Sequence, residues 1–398
     1  MAENKHYKVY HILRDSASEM NKYKFALSCL KTNKLKDAER ALLGNEITKP
    51  TKNPSSIPNG SYGLYLMGVI TEKQQRYTDA KEYFLKALEL NPTLWSAYEK
   101  IGKLGENIMP NRVFNESKLQ NIKSSTGQKK RKEEEPENNQ RIKRTPHPIS
   151  NANQLSKKRS TSSNHQVPSN SAPIPDIISL LRKLADGYYQ LYNYNCLEAV
   201  EEFKKLPENH LKTGWVLTNM GKAYMEVVRY QDAVAFYEEA FKREPYRMEG
   251  IEHYSSCLWH LKKHTDLCYL AHQSLDKSLF IPEAWIAVGN CFSLQKEHEQ
   301  ALKFFMRAIQ LNPHNPYAYS LCGHENVYNE DFAKAKKMFE QALNLDARHY
   351  SAWWGQGNIA YKQERYERAQ DNFKKAISIN PKNPVLYSFM GMTLAAKR

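Results

Sequence analysis

The chain has 398 residues, and 58 Lys+Arg against 43 Asp+Glu give it a formal charge of +15, basic enough to raise nucleic acid as a partner. The distribution argues against that class: residues 106–175 hold 13 Lys/Arg and 6 Asp/Glu, so close to half of the excess sits in one stretch and the remainder is ordinary for a scaffold. No run of 18 apolar residues occurs and the N-terminal MAENKHYKVY carries no apolar leader segment, so a chain neither secreted nor membrane-spanning is expected.

Taken in order, residues 1–105 carry a loose helical pattern. Ala26, Ala38 and Leu42 suit one helical pair over about 19–45, and Pro50, Pro54 and Pro58 then mark a surface loop. Gly68, Ala80, Phe84, Ala87 and Pro92 form a clearer unit. Trp95, Tyr98, Ile101 and Gly102 begin a further helix whose partner does not follow. Residues 106–175 are instead polar, Ser/Asn/Lys-rich and nearly free of aromatics. Such a stretch buries too little apolar surface to offset its ordering entropy, and a disordered linker is expected. Its cluster Lys129, Lys130, Arg131, Lys132 reads as a nuclear import signal or as solvated charge, and Thr145-Pro146 is a minimal proline-directed phosphorylation site.

Helical periodicity resumes at Asp176, a candidate cap behind Pro175, and runs to the end. Over 176–398 a glycine returns every 34 residues: Gly187, Gly221, Gly289, Gly323, Gly357 and Gly391, with Ser255 in the one missing slot. Alanine follows twelve residues later (Ala199, Ala233, Ala301, Ala335, Ala369) and an aromatic ring sixteen later (Phe203, Tyr237, Phe305, Phe339, Phe373). Glycine inside a helix costs roughly 1 kcal/mol relative to alanine, so its recurrence implies close helix–helix packing. A glycine-alanine-aromatic unit of this length is the tetratricopeptide repeat, a helix–turn–helix that stacks into a solenoid. The expected fold is therefore an all-α superhelical solenoid interrupted by a disordered basic insert. Its last repeat breaks off after Gly391, which reads as a piece of a longer array.

The six cysteines form no CxxC and have no histidines at ligand spacing, so reduced thiols and no metal are expected. No P-loop, dinucleotide fingerprint, HExxH or GxSxG is present, and no enzyme activity or cofactor is expected. A solenoid offers instead a concave face lined by its first helices. Counting the glycine as position 8, positions 2, 5, 9 and 12 share one face, because spacings of three and four recur on one side of a helix. That stripe includes Trp215 and Lys222, Glu249 and Glu252, Glu283 and Asn290, Tyr317 and His324, and Trp354 and Asn358. Amides, aromatics and acids suit an extended peptide or a chain terminus better than a phosphate backbone, which wants Lys and Arg. An exposed polar face with no dedicated ligand is the plainer alternative.

Particular strings go beyond the generic repeat. YNYNCLEAVEEFKKLPENHLKTGWVL, YRMEGIEHYSSCLWHLKK, PEAWIAVGNCFSLQKEHEQALKFFMRAIQLNP and RHYSAWWGQGNIAYKQERY resemble the cell division cycle protein 27 family, the tetratricopeptide scaffold of the anaphase-promoting complex, or cyclosome. The resemblance covers 176–398 closely and 19–105 more loosely. It implies a non-catalytic ubiquitin-ligase subunit, homodimeric in full-length form, that works in the nucleus, and in the cytoplasm and on the spindle in mitosis, with WD-repeat activators and other cyclosome subunits. It also implies a groove that takes an isoleucine-arginine chain terminus at the positions of Asn290, His324 and Asn358. Glu252, Glu283 and Trp354 join them from the stripe. No nucleic acid and no membrane are expected. Another repeat adaptor, a chaperone-tail binder or a nuclear RNA-processing scaffold, is the alternative. A chaperone clamp wants cations in two adjacent units, and Lys222 stands alone at the inward positions.

Overall fold

The structure, a computed structural model, describes residues 2–13, 18–43, 57–115 and 174–397, and every regular element among them is a helix. Contacts divide the chain into Met1–Phe114 with Ser179–Arg398, and Asn115–Ile178; the second unit lies almost wholly outside the described residues, as do Lys129–Lys132 and Thr145. In the first unit α1 (Ala2–Leu13), α2 (Glu19–Lys31) and α3 (Leu35–Leu43) precede the hairpin α4 (Gly60–Lys73) and α5 (Tyr77–Leu90). Next come α6 (Trp95–Lys103), a short α7 (Pro110–Val113), α8 (Ile174–Tyr192), α9 (Cys196–Lys204) and a short α10 (Glu208–Leu211). Four pairs follow: α11 (Gly214–Glu226) with α12 (Tyr230–Arg243), α13 (Ile251–His260) with α14 (His264–Lys277), α15 (Pro282–Leu294) with α16 (His298–Leu311), and α17 (Pro316–Tyr328) with α18 (Phe332–Leu345). The chain closes with α19 (Tyr350–Lys362), α20 (Tyr366–Ile379) and α21 (Pro384–Ala396).

The repeating glycine earns its place by touching the aromatic of its own unit. A Cβ on Gly289 would lie 2.3 Å from Phe305 Cε1, and the same pairing recurs at Gly68 with Phe84 and at Gly187, Gly323 and Gly357 with Phe203, Phe339 and Phe373. Each of these rings is fully buried, so it has no room to withdraw. Gly221 meets the larger Tyr237 ring less tightly, at 3.0 Å, and a Cβ on Gly391 would meet nothing within 4 Å. The turn between paired helices places one residue in the left-handed region in unit after unit: Gln75, Val228, Lys262, Lys296, Glu330 and Glu364, with φ between 55° and 66°. Val228 is costly there, because its branched Cβ crowds the following carbonyl.

Two local expectations shift. α8 begins at Ile174, so Pro175 sits in its first turn, where its missing N–H has no helical acceptor to lose. Residues 106–114, assigned by composition to the linker, pack as part of the solenoid: Pro110, Val113 and Phe114 are buried, and Phe114 lies 5.2 Å from the Tyr98 ring. The helix that α6 lacks is replaced from beyond the insert. Tyr188 of α8 fills the slot at Gly102, 3.0 Å from where its Cβ would be, and its hydroxyl donates to the Glu99 carbonyl at 3.2 Å. Trp95, Tyr188 and Trp215 then form one aromatic cluster, with Trp95 and Trp215 5.3 Å apart and edge-on. Sequence adjacency could not reveal this, since Gly102 and Tyr188 are separated by the whole insert.

Candidate functional site

The first helices stand side by side, and their stripe is only partly free. Thr218, Ile286, Ser293, Ser320 and Val327 are buried, because positions 5 and 12 also face the neighbouring first helix, and Asn290 at position 9 is buried as well. Asn290 is 3% exposed, and its Nδ2 donates to Ser255 Oγ at 2.9 Å and Ser256 Oγ at 3.1 Å. Both amide hydrogens are thereby engaged within the protein, which departs from the expectation that they meet a ligand. Ser256 Oγ in turn lies 2.6 Å from Tyr317 Oη, so Asn290 orders a small hydroxyl network at the groove floor. His324 Nε2 lies 3.1 Å from Ser351 Oγ, and its ring packs 5.4 Å from Trp354. Burial pushes the His324 imidazole down to about 3, so it is neutral at physiological pH. Trp354 Nε1 is buried without a partner, its ring edge-on to Phe389. Asn358 is half-buried, and no hydrogen bond of its side chain is formed among the described residues.

Two acids remain available. Glu252 and Glu283 start consecutive first helices and are both half-buried. Burial first, and the neighbouring Glu283 second, push the Glu252 carboxyl up to about 7; burial pushes Glu283 up as well. Glu252 Oε2 accepts the Gly250 N–H at 3.1 Å; the half-buried His253 stands 3.7 Å away, and the Lys222 ammonium acts on the carboxyl from farther off without an ion pair. Two close carboxylates with raised proton affinity gain from a cation, which relieves both repulsion and desolvation.

The stripe opens into a channel of about 840 Å³. Glu252 lines it, whereas Asn290, His324, Asn358, Glu283 and Trp354 lie outside its wall. Lys222 also lines it, with its ammonium 5.3 Å over the Tyr192 ring. The wall further includes Glu226, His253, His349 and Tyr350, none of which falls on the predicted stripe. They come together because the solenoid curves, bringing α19 against α11; Tyr350 donates to Glu226 Oε2 at 2.7 Å across 124 residues. No local sequence signal marks that pairing. No cluster of three His, Cys, Asp or Glu suited to a metal ion occurs among the described residues, and no helix of the described residues is long and apolar enough to cross a membrane.

Stacked helix pairs around a polar channel, with the functional side chains on the inner helices, define a tetratricopeptide-repeat binding solenoid. Comparison with known proteins agrees: residues 216–247, 282–315 and 323–384 match tetratricopeptide-repeat families, and residues 14–163 match the family of anaphase promoting complex subunit 8 / Cdc23. Beyond the repeat, the chain is similar to proteins of the cell division cycle protein 27 family. It is 43% identical over 223 residues to cell division cycle protein 27 homolog B of Arabidopsis thaliana, covering 56% of this chain and 30% of that protein. It is 37% identical over 217 residues to anaphase-promoting complex subunit 3 of Schizosaccharomyces pombe, covering 54% of this chain and 33% of that one. Against the human cell division cycle protein 27 homolog the identity is 48% over 137 residues, 34% of this chain and 17% of the relative. The chain thus spans a third or less of these relatives. A crystal structure of the APC/C hetero-tetramer Cut9-Hcn1 superposes with a TM-score of 0.67 at 14% identity, covering 99% of this chain and 67% of that one, a likeness of fold.

Proposed function

We propose that this chain is a non-catalytic scaffold of the anaphase-promoting complex that docks a basic chain terminus in its inner groove. The observation that carries the reading is the half-buried pair Glu252 and Glu283 on adjoining first helices, neither ion-paired to a lysine or arginine among the described residues, with Lys222 acting on Glu252 only from farther off. An arginine side chain supplies the missing cation through a planar fork matched to carboxylates. Asn358 offers an unengaged amide to a terminal carboxylate, His324 and Trp354 wall that end, and Asn290 holds the floor through Ser255 and Ser256. Relatives named as anaphase-promoting complex subunits support the scaffold role, and the resemblance supplies WD-repeat activators as owners of such tails. Homodimerisation and a nuclear and spindle location belong to the same proposal.

The test is fluorescence-polarisation titration of a peptide ending in isoleucine-arginine into the 398-residue chain, beside its C-terminal amide. Binding that weakens at least tenfold on amidation, and again in Glu252→Gln with Glu283→Gln, is the expected result. Equal affinity of acid and amide, or of the double variant and the parent, would remove tail docking and leave a scaffold with another ligand.

A further inference from the structure

In a solenoid each repeat touches its neighbours, and nothing in that arrangement obliges distant repeats to meet. Here they do. Besides the Tyr350 hydroxyl, Asn380 Nδ2 lies 3.3 Å from Glu226 Oε2 and 3.5 Å from the Glu226 carbonyl. Arg348 donates through Nη2 to the Tyr192 carbonyl at 2.5 Å, and the Tyr194 hydroxyl approaches the Arg348 carbonyl at 3.5 Å. Outside this cluster the exposed pair Lys382 and Glu198 stands at 4.0 Å. Each contact joins α8–α11 to the stretch from Arg348 to Lys382, and Tyr192, Tyr194, Glu226, Arg348 and Tyr350 all line the channel.

The closure consists of polar contacts around one edge-on ring pair, Tyr194 and Tyr350, 5.7 Å apart. At its centre is Glu226, a carboxylate 7% exposed that is held by a hydroxyl and an amide. Two buried polar atoms of the channel wall, His253 Nδ1 and His349 Nε2, have no hydrogen-bond partner among the described residues. Opening would return the Glu226 carboxylate and its partners to water, so desolvation opposes the very hydrogen bonds that hold the turn shut. Contacts of that kind separate without dismantling a core.

We infer that Glu226, Tyr350, Asn380 and Arg348 form a latch that closes the superhelical turn over its inner channel and must release before a chain can enter. The inference concerns access, and it stands whichever chain the channel takes.

Double electron–electron resonance on the full 398-residue chain tests it without any ligand. Cys268, the half-buried cysteine, is replaced by serine, and spin labels are placed through Glu198→Cys and Lys382→Cys; the other five cysteines are buried. The parent should give one short distance. Tyr350→Phe, and Tyr350→Phe combined with Asn380→Ala, should add a longer one, its population rising roughly tenfold or more for each hydrogen bond to the carboxylate that is lost. Circular dichroism guards against unfolding, and Glu226→Gln, which keeps an acceptor for Tyr350, should open less than Tyr350→Phe. A single short distance in every folded variant would overturn the latch, as would a parent already dominated by the long one.

Discussion

Gly289 and Gly391 occupy the same position of the repeat, yet the same substitution should act on them with opposite sign. A methyl at residue 289 lands 2.3 Å from Phe305 Cε1 and 2.5 Å from Cδ1, against an ordinary carbon–carbon contact of about 3.5–4.0 Å. The ring or the helix must therefore give way by about an ångström. Phe305 is fully buried among Ala301, Ala308 and Ala318, so the displacement is passed into the next first helix. Overpacking of this kind costs roughly 1–3 kcal/mol or more, of which alanine's helix propensity returns about 1. Gly289→Ala should lose about 1–2 kcal/mol. At Gly391 nothing lies within 4 Å, so the propensity term stands alone and Gly391→Ala should gain up to about 1 kcal/mol. Gly221→Ala, with its ring 3.0 Å away, should fall between them. Urea unfolding followed by circular dichroism reports each change, and hydrogen exchange in α15 and α16 localises it, because a solenoid need not unfold in one step. Equal shifts of one sign at Gly289 and Gly391 would refute the packing account and leave propensity alone as the cause.

Other outcomes follow from single sites. His324 is held neutral with its value near 3, against about 6.5 in the unfolded chain, so unfolding takes up a proton between those limits and stability falls as pH drops below 6.5. At pH 5 that loss is about 2 kcal/mol, and His324→Gln should show correspondingly less acid destabilisation in thermal melts at pH 7 and 5. Glu252 runs the other way: its folded value near 7 exceeds the unfolded one, so it adds stability as pH falls from 7 to 4.5, and Glu252→Gln should lose that gain of about 2.5 kcal/mol. Tyr188→Ala empties the slot at Gly102 and should cost about 3–5 kcal/mol, with a red-shifted tryptophan emission as Trp95 and Trp215 part, while Tyr189→Ala should leave the spectrum in place. Val228→Asn relaxes a branched residue at φ 66° and should raise the melting point by the equivalent of about 1 kcal/mol; a lower melting point would contradict the strain.

The candidate site was legible in part. Glu252 and Glu283 could be placed on adjoining inner helices from repeat register alone, since register assigns each residue its face. What register could not say is how much of that face the neighbouring helix covers. Asn290 and Ser256 share the inward position, and the Asn290 amide N–H groups meet the hydroxyls of Ser255 and Ser256. The channel wall was not legible at all: Glu226, Arg348 and Tyr350 look like unremarkable helix-end residues until the turn closes.

By itself the sequence determined the repeat: helix pairs, the recurring glycine and aromatic, and the unit length. Each of these depends on residues within one or two units of one another, so a local pattern carries the whole instruction. Only the tertiary structure decided that residues 106–114 pack, that Tyr188 completes α6 from across the insert, and that the turn closes through hydrogen bonds spanning up to 156 residues. Those depend on curvature, the sum of small rotations between stacked repeats, and no single unit encodes that sum.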